Sequence, residues 1–344
     1  MERVRFGVIG AGFMGALHAE IGYHCPYAQF VCAADTDEGR VQSLAKKYQA
    51  RAYRDYAEML KTEELDAVII STPETHHVDP VLQAAERGLH IFLEKPLART
   101  LEEADTILEA CQKANIKLMM GYILRFEPTY VKVKEALEAG ALGRFLSAYA
   151  RRNTPIQEAR RLGGRTSVTN YIAVHDIDLI LWYHPLKVVR VLGKALRGKV
   201  QRELGTWDYS WGLFEFEDGA LGIVETGWGY PARWLEWHRP PSWGGFGDVC
   251  MNVIGEEGVI NVNLVPMDVY AVDAEAWKMP ETRHWPKIYG RTAGALKLQL
   301  EHFFECVLTD NEPLVSGQDG RRSLEVACAI EKSIAEGCEI TLPL

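Results

Sequence analysis

The sequence predicts an α/β domain built on a parallel sheet, followed by an α+β domain with a mostly antiparallel open sheet. Three observations lead there. The chain has 344 residues, too many for one ordinary core. Up to Gly121, short β-branched runs alternate with amphipathic stretches, the pattern of βαβ units. Beyond Gly121, strand candidates follow one another with few helices between them.

In the first part, strands are expected over Val4–Gly10, Phe30–Asp35, Ala67–Thr72, His90–Glu94 and Lys117–Gly121. Between them, Arg40–Tyr48, Val78–Arg87 and Leu101–Ala114 carry helical periodicity. The domain boundary is placed between Tyr122 and Ile123, giving domains 1–122 and 123–344. A helix from Pro128 to Ala139 stops at Gly140. Strands are then expected over Phe145–Arg151, Val188–Leu196, Tyr209–Phe216, Leu221–Trp228, Asp248–Ile254, Val259–Val262 and Asp268–Val272. Asp218-Gly219 is a hairpin signal between two of them, and Gly255–Gly258 is a second turn. Closing helices near Gly294–Leu308 and Gly317–Ala335 could pack on either domain.

Composition narrows the function. Apolar residues make up 47% and charged residues 25%, the mixture of a globular chain. The net charge of −9 lacks the basic footprint of a nucleic-acid binder. No apolar run suggests a membrane span, and Val4–Gly10 already reads as a strand, leaving no targeting segment. A cytoplasmic location is therefore expected. Seven cysteines without a CxxC pair read as reduced core residues, and no metal site is expected.

The first strand runs into Gly10-Ala11-Gly12-Phe13-Met14-Gly15 and then a helical stretch from Ala16 to Gly22. In such a loop one glycine makes the tight turn, one lets the backbone approach a pyrophosphate, and one allows close helix–strand packing. The helix start adds N–H groups and a positive dipole end. A bare GxGxxG is weak evidence, but Asp35 ends the next strand, where a ribose hydroxyl would be bound. A carboxylate there also repels a 2′-phosphate, so NAD is expected in preference to NADP.

Two further segments close strands: Ser71-Thr72-Pro73 with Thr75-His76-His77, and Leu93-Glu94-Lys95-Pro96-Leu97. With Gly121-Tyr122, Arg125–Pro128, Gly163-Gly164, His175–Asp178, Pro313–Gly317 and Thr341–Leu344, they make the chain resemble the glucose–fructose oxidoreductase/inositol dehydrogenase/MocA family almost throughout. The resemblance implies an NAD-dependent dehydrogenase or reductase with an N-terminal Rossmann domain. Its substrates would be sugars, inositols or related polyols, and it would form a homodimer or homotetramer through the C-terminal sheet. It implies that Lys95 sits beside the nicotinamide and the reacting hydroxyl and that His175 is the acid–base group. Gly10, Gly12, Phe13, Met14, Gly15, Asp35, Ser71, Thr72, Pro73, His76, Glu94 and Lys95 are the expected cofactor contacts. Tyr122, Arg125, Arg152 and Trp234 are candidate substrate contacts.

Elementary chemistry agrees with both transferred roles. A hydride leaves a carbinol carbon only as the hydroxyl proton departs, so a base must reach that oxygen. A lysine beside the developing alkoxide stabilises its charge, and histidine titrates near neutrality. One departure stands out. Many members carry an aspartate four residues before the histidine, in an Asp-x-Gly-x-His pattern, whereas Tyr171 and Ala173 occupy these places. On an α-helix Tyr171 and His175 share a face, so Tyr171 is taken as a third catalytic candidate.

From Gly229 to Asp248 the chain is rich in Gly, Pro and Trp, suiting either sugar stacking or a subunit contact. Two other readings stay open on sequence: an NAD-dependent glycoside hydrolase using transient oxidation, and a sensor that binds NAD and a sugar without turnover.

Overall fold

Six strands of the N-terminal half form one parallel sheet: β1 (Val4–Ile9), β2 (Ala28–Ala34), β3 (Arg51–Tyr53), β4 (Ala67–Ile70), β5 (His90–Leu93) and β6 (Leu118–Met120). Their order is β3-β2-β1-β4-β5-β6. The central strands are buried on both faces, which explains why β4 reads as the unbroken apolar run Ala-Val-Ile-Ile rather than an alternation. Between the strands lie α1 (Phe13–His24), α2 (Glu38–Tyr48), α3 (Tyr56–Thr62), α4 (Val78–Glu86) and α5 (Leu101–Ala114). The side chains of Asp37, Asp55 and Thr100 accept N–H bonds at the starts of α2, α3 and α5. Such caps contribute about 1 kcal/mol each.

This computed structural model describes residues 3–230, 248–264, 271–272, 277–278 and 282–344. The chain divides into one unit of Met1–Glu127 with Arg283–Arg321 and a second of Pro128–Thr282 with Arg322–Leu344. The first unit ends beyond the expected Tyr122 because Ile123–Phe126 forms a 3₁₀ turn whose Arg125 pairs with Asp319 of the same unit. The helix Ala295–Thr309 also belongs to this unit, packing Phe304 against Phe6 at a tilt and Phe303 edge-on to Phe92. A hairpin of Lys287–Ile288 with Arg291–Thr292 is tied to α1, where Glu20 accepts from Lys287 and from both the N–H and hydroxyl of Thr292.

The second unit holds α6 (Pro128–Glu138), β7 (Phe145–Pro155), α7 (Ile156–Leu162), a π-helical turn (Thr169–Ala173) and α8 (Val174–Tyr183). There follow β8 (Val188–Leu196), α9 (Lys199–Leu204), β9 (Tyr209–Phe216), β10 (Leu221–Tyr230), β11 (Asp248–Gly255) and β12 (Val259–Asn263). The sheet order is β12-β11-β7-β10-β9-β8, with Ile340–Thr341 at the far edge. Every pair is antiparallel except β7 with β10. Alternation in β9 puts Ser210, Gly212, Phe214 and Phe216 on a buried face. Gly193 and Gly212 admit the closing helix Gly317–Glu336: a Cβ at Gly212 would come within 2.2 Å of Ile330 Cδ1. Of the strand expected over Asp268–Val272, Ala271–Val272 is observed and the rest lies outside the described residues.

No disulfide joins any of the seven cysteines. Five are buried, whereas Cys338 is exposed, a correction to its expected place in the core. No helix among the described residues is long and apolar enough to cross a membrane.

Candidate active site

Parallel register gathers the motif residues. Ile9 pairs with Ala34 and Ile70, Ile70 with Leu93, and Leu93 with Met120. The next residue of each strand is Gly10, Asp35, Ser71, Glu94 and Gly121. Five segments far apart in sequence therefore leave the sheet at one carboxyl edge. Strand order reverses at β1 and β4, the crevice where ligands bind in sheets of this kind.

The three glycines of the loop meet different surroundings. Gly10 has φ +94°, and a Cβ there would lie 2.8 Å from the Ser71 carbonyl carbon. A Cβ on Gly15 would fall 1.8 Å from the Gly10 oxygen, so helix and strand can approach only because it is glycine. Gly12 faces open space, with nothing within 4 Å of its Cβ position. No side chain caps α1 at Gly12, and its first turn carries no acidic residue. Open space, uncapped N–H groups and the helix dipole together fit a pyrophosphate.

Asp35 is fixed by the loop itself. One carboxylate oxygen accepts the Ala11 N–H at 2.6 Å and the other accepts that of Asp37 at 2.8 Å. Each oxygen has capacity for another donor, as a ribose hydroxyl requires. Phe13 is exposed and meets Trp285 edge-on, with ring centroids 6.0 Å apart.

After β4, Thr72 donates its hydroxyl to the carbonyl of His76, whose side chain is exposed. The neighbouring histidine, not anticipated from sequence, does more. His77 is buried, with Nε2 3.0 Å from the Thr72 oxygen and Nδ1 3.3 Å from that of Leu97. Burial holds its pKa below the ordinary 6.5 against the pull of these carbonyls. The neutral ring donates one N–H, favouring the shorter contact, and lies between the loops that follow β4 and β5. Periodicity cannot distinguish His76 from His77; only the fold shows which one turns inward.

Lys95 is half-buried just past the end of β5. Its N–H donates to Oε2 of the preceding Glu94 at 3.2 Å. Tyr122 follows Gly121 at the end of β6 and is buried. Arg125, a candidate substrate contact, is 4% exposed and bound to Asp319 at 3.2 Å.

In the second unit His175 lies in the first turn of α8, half-buried. Tyr171 precedes it in the π turn, so the α-helical spacing expected for the pair does not hold and the two straddle a π–α junction. Such turns are frequent at functional sites. Tyr171 packs on a core cluster that includes Ile156, Leu162, Val168 and Trp228. Its hydroxyl accepts from Arg161 at 2.8 Å, and that guanidinium also binds Glu158 at 2.7 Å. The cation beside the phenol is thus Arg161, a residue sequence reasoning missed because it lies ten positions before Tyr171 on a separate helix, and only the fold brings the two together.

Arg152, another candidate substrate contact, is corrected. It is wholly buried, making a two-pronged bond to Asp176 at 2.8 and 2.9 Å and a third to the Tyr130 hydroxyl at 3.0 Å. A guanidinium with no exposed surface cannot greet a substrate; it anchors α8. Trp234 and the aromatic loop lie outside the described residues. Among the described residues, no group of three His, Cys, Asp or Glu could hold a metal ion.

Comparison with known proteins agrees with this architecture. The model of an oxidoreductase family with an NAD-binding Rossmann fold, GFO/IDH/MocA, matches residues 4–122, and the model of that family's C-terminal domain matches 130–261. The chain is 29% identical to scyllo-inositol 2-dehydrogenase (NAD(+)) of Bacillus subtilis, covering 99% of this chain and 97% of that one. It is 26% identical to myo-inositol 2-dehydrogenase of Thermotoga maritima, covering 98% of each. Among solved structures, scyllo-inositol dehydrogenase of Lactobacillus casei with bound NAD(H) and scyllo-inositol shares the fold, with a TM-score of 0.84 at 20% identity over 99% of each chain. The glycine loop, the aligned strand ends and the two matched domains make this chain a member of the GFO/IDH/MocA family of NAD-binding oxidoreductases.

Proposed function

We propose that the chain moves a hydride between NAD and a secondary alcohol or ketone of a sugar, inositol or related polyol. The observation that carries this reading is the row of strand ends. It sets Glu94-Lys95 on the same sheet edge as a glycine loop and a ribose-type aspartate. The relatives named as inositol dehydrogenases support the substrate class. NAD supplies the hydride acceptor when bound; Gly10, Gly12, Gly15, Asp35 and the loops carrying Ser71, Thr72, Pro73 and His76 would hold it.

The remaining chemistry belongs to side chains. The Lys95 ammonium stabilises negative charge on the substrate oxygen as its proton leaves. An imidazole nitrogen of His175 takes that proton during oxidation and returns it during reduction. Tyr171, steadied by Arg161, assists by hydrogen bonding.

A homodimer or homotetramer is part of the same reading. The sheet face away from the helices exposes Leu192, Leu196 and Leu213, a surface suited to a second copy. Light scattering after size exclusion measures that state. A cytoplasmic location completes the reading.

The direct test is NADH formation, followed by absorbance, against a panel of sugars, inositols and sugar acids. Turnover with at least one polyol is expected, and Lys95→Met should abolish most of it while leaving NAD binding nearly intact. Aglycone release without NADH, or tight NAD binding without turnover of any member, would overturn the proposal.

A further inference from the structure

His18 lies on α1, wholly buried. Its Nε2 is 2.8 Å from Oε1 of Glu94, and its ring meets Phe92 edge-on with centroids 5.0 Å apart. A carboxylate only accepts, so Nε2 carries the hydrogen and donates it. The other oxygen of Glu94, Oε2, accepts the Lys95 N–H at 3.2 Å. Gly121 closes the remaining side, since a Cβ there would lie 3.0 Å from Oε2 and 3.2 Å from the Glu94 Cα. The carboxylate is thus gripped on both oxygens, once by the helix that begins at the glycine loop and once by the main chain of Lys95.

A helix position facing a sheet needs only an apolar side chain for packing, and a buried imidazole adds polar nitrogens that burial penalises. Here Nε2 is spent on the residue next to Lys95, while Nδ1 has no hydrogen-bond partner among the described residues. Taking both groups out of water is costly unless the pair is well formed, and at 2.8 Å it is. Lose the donor, and the Glu94 carboxylate has reason to rotate toward another partner, releasing the Lys95 N–H.

We propose that His18 is a positioning residue: through Glu94 it fixes the main chain at Lys95 and so the root of the lysine side chain. This rests on Lys95 acting at the reacting oxygen, as proposed above. The mechanism is geometric, because displacement of a catalytic group by about 1 Å can cost about 100-fold in rate.

Three variants test it. His18→Leu removes the donor, His18→Phe keeps a ring without one, and His18→Gln keeps an N–H of similar reach. In NAD-free protein, hydrogen exchange at the Lys95 amide should quicken about tenfold in the leucine and phenylalanine variants. Their kcat should fall about 10- to 100-fold, as for other outer-sphere hydrogen-bond partners. NAD affinity by calorimetry should hold, and His18→Gln should recover much of both losses. Should the leucine variant fail to fold, the phenylalanine variant carries the comparison.

Unchanged Lys95 exchange with unchanged kcat in the donor-free variants would overturn the proposal. Equal damage in all three, glutamine included, would also overturn it, because shape and not the donor would then matter. Lys95→Met separates the two levels. Wild-type turnover in that variant removes the reading beneath; loss there without loss in His18→Leu removes only the role of His18.

Discussion

Arg152 and Asp176 form a two-pronged ion pair, 2.8 and 2.9 Å long and almost fully shielded from water, one residue beyond His175. The pair joins β7 to α8 and sets the rotation of the helix that presents the histidine.

Breaking such a pair leaves a charge stranded in the interior. Arg152→Met should destabilise the protein by about 3–5 kcal/mol, measured by urea unfolding. Arg152→Met combined with Asp176→Leu should recover part of that loss, since no lone charge then remains. A single variant as stable as the parent would show that the pair holds nothing in place.

Asp35 is proposed to set cofactor choice. Its oxygens already accept the Ala11 and Asp37 N–H groups, which holds the carboxylate rigidly at the end of β2, and its charge would repel a 2′-phosphate bound there. Wild-type protein should bind NAD more tightly than NADP in calorimetric titrations. Asp35→Ala should narrow the gap by removing a ribose contact and the repulsion together. Tighter NADP binding to the wild type would refute this assignment.

On the second unit, His175→Ala should lower kcat by about 10²–10⁴-fold, the usual range for an acid–base group. Tyr171→Phe deletes the oxygen that accepts from Arg161 and should cost less. Steady-state kinetics with the substrate found in the panel decides between them. If the phenylalanine change is the worse of the two, the tyrosine is the acid–base group. Near-wild-type rates in both would remove this helix from the mechanism.

His77 gives the stability a pH dependence. Its folded pKa lies below the unfolded value near 6.5, with burial as the cause, so the unfolded chain takes up the proton more readily. The contribution to stability is complete above about pH 6.5 and is lost as pH falls toward the folded value. Urea midpoints measured from pH 7.5 down to pH 5 should decline. His77→Gln, which keeps a donor but does not titrate, should flatten that part of the curve.

Much of the first unit was legible because its signals are local. A glycine loop between β1 and α1, or an aspartate ending β2, needs only neighbours in sequence. β3 was missed because Arg51–Tyr53 is a three-residue edge strand with no buried position. The π turn at Thr169–Ala173 leaves no trace in residue spacing. The carboxylate partners of Arg152 and Arg125 were illegible for a common reason. A cation in a strand or turn looks equally suited to a ligand or to a carboxylate, and their partners Asp176 and Asp319 lie 24 and 194 positions away. The roles of His18 and His77 were hidden likewise, because inward orientation is a property of packing.

The return of Arg283–Arg321 to the first unit bears on how the molecule is made. When Glu127 leaves the ribosome, Phe6 and Phe92 still lack the rings of Phe304 and Phe303, and Glu20 lacks Thr292. The nucleotide-binding half is therefore begun first and finished nearly last, after the whole intervening unit has been synthesised. A protein truncated after residue 282 would have its glycine loop in full and an open wound of apolar surface behind it. Gene fusions or split forms that respect the linear domain boundary would cut through a core.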